Sequence, residues 1–167
     1  MATFLMSKEW HILIHLTKQI YIIKMKKKEE FMKIFIICSK AFYDKIAPIQ
    51  EELEKMGHQI KLPHTYTNPQ EEQQNWNLGE KKHTEFKTKM FKKSQKCIGE
   101  MDAVLVLNFD KNGQKNYIGG STFLEVYEAF MQDKKIYFYH NLPEGMLYDE
   151  LSAFSPVIIN EKLELVK

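Results

Sequence analysis

The chain has 167 residues, 44% hydrophobic and 28% charged, with only seven glycines and five prolines, which suits one globular domain and excludes collagen-like, low-complexity and disordered classes. Its formal net charge is +2 and all 24 basic residues are lysines; the missing arginine, the side chain that best forks onto phosphates and guanine edges, argues against a nucleic-acid partner. Two cysteines, Cys38 and Cys97, exclude a disulfide framework or a four-thiolate zinc site and point to free thiols in a reducing cytoplasm.

Residues 1–31 read as an N-terminal extension or arm, and residues 32–167 as the folding domain. From Trp10 to Ile23 the chain is rich in apolar residues, but the stretch falls short of the about 20 that a spanning helix needs, and His11, His15, Lys18 and Gln19 interrupt it. The lysines at 24 and 26–28 follow the apolar run, whereas a signal peptide places its charges first, so neither a membrane span nor secretion is expected. An amphipathic helix lying on a membrane surface is the competing reading, and the arm is preferred to it.

Lys33 to Ser39 (KIFIICS) is a short β-branched apolar run, as expected of a parallel strand covered on both faces. Phe42, Ile46, Ile49, Leu53 and Met56 then recur at helical spacing, with Pro48 in the first turn and Gly57 as the stop. His58 to Leu62 reads as a second strand and Pro63 to Leu78 as a long polar loop without apolar period. A helix is predicted over Gly79 to Met101, with seven lysines between Lys81 and Lys96 forming a solvated face. Asp102 to Asn108 (DAVLVLN) is the clearest buried strand, a helix starts at Ser121, and a fourth strand covers Lys135 to His140. Gly145 to Ala153 forms a short helix and Pro156 to Asn160 a fifth strand. Strands alternating with helices predict an α/β, doubly wound, flavodoxin/Rossmann-like three-layer domain with a five-stranded parallel sheet. Ligands of such sheets sit beyond the carboxyl ends of the strands at the switch point, where Ser39, Pro63 to Tyr66, Asn108 to Thr122 and Asn141 converge.

Within that region the segment Gly119-Gly120-Ser121-Thr122-Phe123-Leu124-Glu125 leads from a loop into a helix. Glycines let a ligand approach the backbone, Ser121 or Thr122 can cap the helix, and its free N–H groups attract anions or polar oxygens. The plain alternative is a capping box between Thr122 and Glu125, in which the glutamate serves only the helix start. DAVLVLN (Asp102 to Asn108), GGSTFLEVYEAF (Gly119 to Phe130) and KKIYFY (Lys134 to Tyr139), together with the opening KIFIICS strand, resemble the nucleoside 2-deoxyribosyltransferase-like family, which includes nucleoside 5′-monophosphate N-glycosidases. The likeness spans Lys33 to about Asn160.

That resemblance implies a catalytic role for Glu125, and places Gly120, Ser121 and Thr122 in the loop that holds sugar hydroxyls or a phosphate, with Ser39 at the mouth of the first strand. It implies a small-molecule nucleoside or nucleotide as ligand, and a homo-oligomer, since relatives commonly complete their sites across a subunit interface. Members usually carry an aspartate on the preceding helix where this chain has Ser94, and many transferases an acid six positions before the glutamate, where it has Gly119. A non-catalytic nucleotide-binding or regulatory module of the same fold is therefore the alternative function.

Breaking an N-glycosidic bond builds positive charge on the sugar, which a carboxylate can stabilise or attack, while a second group protonates or hydrogen-bonds the departing base. Asp110, directly after the third strand, is the second catalytic candidate and Asn108 a substrate-binding one; Asp110 is otherwise a solvated turn residue before Asn112-Gly113. Tyr43 reaches the sugar or packs, His83 faces the ligand beside Phe86 and Lys87, and His64 and Tyr66 offer a wall on which a base stacks, or are solvated. No HExxH or CxxC pattern occurs, so no metal is expected. The turn after the first strand reads Cys38-Ser39-Lys40-Ala41 rather than GxGxxG, so no dinucleotide cofactor is expected either.

Overall fold

The computed structural model describes Trp10, residues 13–15 and residues 31–167. The chain divides into two compact units, Met1–Glu30 and Phe31–Lys167. In the first, the four described residues are helical and exposed; the choice between arm and surface helix rests mostly on residues outside the described ones. Among the described residues no helix is long and apolar enough to cross a membrane.

In the second unit, strand β1 (Lys33–Cys38) is followed by a 3₁₀ turn (Lys40–Lys45), helix α1 (Ile46–Lys55) and strand β2 (Gln59–Lys61). Helices α2 (Glu71–Asn77) and α3 (Glu80–Gly99) precede β3 (Ala103–Leu107), and α4 (Gly120–Met131) leads to β4 (Lys135–Phe138). Helix α5 (Tyr148–Ala153), β5 (Val157–Ile158) and a 3₁₀ turn (Leu163–Leu165) complete the unit. All strand pairs are parallel and the order is β2-β1-β3-β4-β5, the doubly wound arrangement expected.

Period-two alternation distributes the apolar residues of β1 and β3 to two cores. Ile34, Ile36, Leu105 and Leu107 pack with Ile46, Ile49 and Leu53 of α1 on one face. Phe35, Ile37, Val104 and Val106 pack with Ile98 of α3, Val126 of α4 and Leu151 of α5 on the other. All five residues of β3 are buried, which is why the run reads as continuously apolar. Each fully buried large aliphatic or aromatic side chain contributes roughly 1.5–3 kcal/mol. The register of the central pair is pinned at its start: the Lys33 N–H donates to Asp102 Oδ2 at 2.7 Å and the Asp102 N–H to the Lys33 carbonyl at 2.9 Å.

The elements are shorter than their sequence patterns, as hydrogen bonding ends before hydrophobicity does. One element is new. The stretch from Pro63 to Leu78 contains α2, none of whose residues is buried, so it has no apolar stripe for a periodicity argument to detect. Glu71 and Glu72 in its first turn complement the helix dipole. Gly79, at φ 106°, separates α2 from α3 with a left-handed backbone that other residues adopt only with strain.

Candidate functional site

At the carboxyl ends of β1 and β3, where the strand order reverses, lies a cavity of about 460 Å³. Cys38, Ser39 and Tyr43 line it from the end of β1, Ser94 and Lys87 from α3, and Gly119 to Thr122 with Glu125 from the start of α4. Helix α4 begins at Gly120 with Gly119 as N-cap, and no side chain caps it. The N–H groups of its first turn therefore have no intrahelical partner and border the cavity.

Because the helix starts before Thr122, the capping box does not form. Glu125 stands too far into the helix to reach back to the N-cap, and its Oε1 accepts instead from Ser94 Oγ at 2.7 Å. Glu125 is partly buried between α3 and α4, bordering the cavity and a shallower groove beside Phe91 and Tyr127. That desolvation pushes it up to about 7; the Ser94 hydrogen bond and the positive charge of Lys87 act the other way, favouring the ionised form. A glutamate that titrates near neutrality at the floor of a cleft is the kind of perturbed group found at functional sites.

Ser121 Oγ accepts from Lys87 Nζ at 3.0 Å. Ser39 Oγ accepts from the Ala41 N–H at 3.4 Å, starting the 3₁₀ turn, and from Lys111 Nζ at 3.3 Å. Lys111 belongs to a tight turn closed by Lys111 and Gln114, and its ammonium also lies 4.5 Å from the centre of the Tyr117 ring. The Tyr43 hydroxyl is bonded to Thr65 Oγ1 at 2.7 Å, and burial pushes its phenol up to about 12. The thiol of Cys38 is likewise pushed to about 12, first by burial and then by Glu125, which leaves it neutral and a poor nucleophile.

Three predicted site residues stand elsewhere. Asp110 lies in a separate surface recess with Lys115 and His140, bonded to Lys115 Nζ at 2.5 Å and to the Asn116 N–H at 3.0 Å. Those bonds hold its carboxyl below the usual range and spend it on its own loop, so it is not placed to protonate a departing base. Asn108 is fully buried: its side chain accepts from the His140 N–H at 2.9 Å and donates to the Asn141 carbonyl at 2.7 Å, clamping the ends of β3 and β4. It is a structural residue, and Asn108→Leu should cost roughly 2–3 kcal/mol in a urea titration because it strands both backbone groups. His83 packs against Trp76 with ring centres 4.4 Å apart and approaches Glu72 at 3.6 Å, without lining the cavity. His64 lines the wall, whereas Tyr66 packs edge-on to Tyr43 with ring centres 5.4 Å apart.

Glu72, which no motif or spacing marks, lines the mouth between Lys40 and Lys87. Ser94 stands where members of the resembling family carry an aspartate, and only the fold shows that it reaches Glu125. Among the described residues no group of three or more His, Cys, Asp or Glu is arranged to hold a metal ion. Compared with family models, curated protein sequences and solved structures, the chain has no match.

Proposed function

We propose that the domain cleaves or transfers at the N-glycosidic bond of a small nucleoside or nucleotide, with Glu125 at the anomeric carbon. The observation that carries this reading is the placement of Glu125: a carboxyl hydrogen-bonded by Ser94, on the floor of a cavity and beside an uncapped helix start. The likeness of GGSTFLE to the nucleoside 2-deoxyribosyltransferase-like family supports it independently of the geometry.

With the sugar over Glu125, the ionised carboxylate attacks C1′ or stabilises its developing charge as the C1′–N bond breaks and the electron pair leaves on the base nitrogen. Ser94 holds the carboxylate in one orientation. The side-chain amine of Lys111 lines the cavity and can hydrogen-bond the departing base, whereas Asp110 does not reach it. Water or a second base then takes the sugar from Glu125, giving hydrolysis or transfer.

Incubation with a panel of nucleosides and nucleoside monophosphates, followed by chromatography for free base, tests the reading. Release of base from at least one member is expected. Calorimetric binding of a nucleotide with no base released over hours would instead favour a binding or regulatory module, a reading motivated by Ser94 standing where the family has an acid.

A further inference from the structure

At one end of the cavity lies an ion-pair knot centred on Glu72. Its Oε2 lies 2.9 Å from Lys40 Nζ, beside β1, and its Oε1 3.2 Å from Lys87 Nζ on α3. Lys87 in turn bonds Ser121 at the uncapped start of α4. Two ammonium groups, a hydroxyl and unpaired helix N–H groups thus converge at one end of the cavity, and the anion they hold is a side chain of the protein itself. The two lysines keep that carboxyl ionised, at about 2, although burial opposes them.

The element carrying Glu72 is poorly anchored. No residue of α2 is buried; the helix lies along α3, held there by Glu72 and by the Trp76–His83 ring contact, and Gly79, with no neighbouring atom near its absent side chain, forms the joint between the two. Helices with so little buried surface open at low cost.

We propose that Glu72 is a displaceable internal anion: it occupies Lys40 and Lys87 until the phosphate of a phosphorylated ligand takes its place, so that binding such a ligand frees α2. This rests on the nucleoside-or-nucleotide reading of the site and assigns the residue that weights the choice between the two. Neutral ligands leave the knot closed. A phosphate gains the two lysines, Ser121 and the helix start, donors that suit its several oxygens better than one carboxylate does.

The test is calorimetry with inorganic phosphate and with ribose 5-phosphate at low ionic strength, comparing the native chain with Glu72→Gln and Lys87→Gln. Glu72→Gln removes the competitor and should bind both probes roughly tenfold more tightly, an advantage that shrinks with added salt; Lys87→Gln should bind them more weakly than the native chain. Uncharged ribose should not distinguish the native chain from Glu72→Gln. Equal phosphate affinity in those two proteins overturns the proposal, as does no binding to either. Faster proteolysis of residues 63–79 in Glu72→Gln with unchanged phosphate affinity, the signature of a purely structural tie, overturns it too. None of these readouts requires turnover, so failure of base release and failure of the exchange are separately visible.

Discussion

Glu125→Gln should lower base release by roughly a hundredfold or more, because a positioned carboxylate facing a developing cation contributes several kcal/mol to the barrier and a neutral amide cannot supply it. Gln keeps the shape and can still accept from Ser94, so the loss isolates charge from packing. The native profile should show the same dependence on ionisation. With its carboxyl pushed up to about 7, activity should fall about tenfold per pH unit on the acid side of neutrality. Ser94→Ala, which removes a hydrogen bond favouring the ionised form, should move that limb to higher pH. An activity that is flat from pH 5 to 8, or that survives Glu125→Gln, would remove the glutamate from the chemistry.

The same substitution should stabilise the protein at pH 8. Glu125 has a folded-state value raised above its unfolded one, so the folded chain binds the proton more tightly and stability declines as pH rises from about 4.5 through about 7. Above that window the ionised carboxylate costs at most about 3 kcal/mol, one pKa unit being worth about 1.4, and the open cavity side keeps the figure a ceiling. Glu125→Gln is insensitive to pH at this position. Its advantage over the native chain should be near zero at pH 4, grow to neutrality and level off, with a rise in melting temperature of up to roughly 10 °C at pH 8. A capping box predicts the reverse, a loss of about 1 kcal/mol at pH 8. Gained stability with lost turnover on one variant would mark the residue as kept for chemistry rather than for the fold.

The architecture was legible because buried parallel strands announce themselves. KIFIIC and AVLVL have no polar interruption, and in this topology only a sheet covered on both faces accommodates that. The carboxyl-end location of the cavity follows from the topology alone, which brought Ser39, Tyr43, Gly120, Ser121, Thr122 and Glu125 to its walls. What could not be read is whatever depends on side-chain direction. Asp110 follows β3 in sequence, yet its carboxylate turns to Lys115 and Asn116. Asn108 follows the same strand, and its side chain bonds the His140 N–H and the Asn141 carbonyl in the turn beyond β4. Helix α2 escaped because it buries no apolar stripe: its ties are the Trp76–His83 ring contact and charge pairs across 15 to 32 residues of sequence, Glu72 to Lys87 and to Lys40, which leave no periodic trace.

The reciprocal bonds between Lys33 and Asp102 also bear on how the molecule comes into being. β1 leaves a nascent chain early, but its central partner β3 lies some seventy residues later, and the clamp that sets their register needs both. Until Asp102 is synthesised, Ile34 to Ile37 have only the short β2 edge beside them, an apolar strand waiting with one side unpaired. Joining β1 to β3 closes the longest loop within the sheet, which places it among the slow steps of folding. Cys38 and Ser39, carried by β1, meet the Glu125 helix, which follows β3, only after that closure. The pocket is therefore a product of that long-range pairing rather than of any local unit, and fragments ending before β3 would carry its β1 and α3 walls but lack the α4 side, Gly119 to Glu125, altogether.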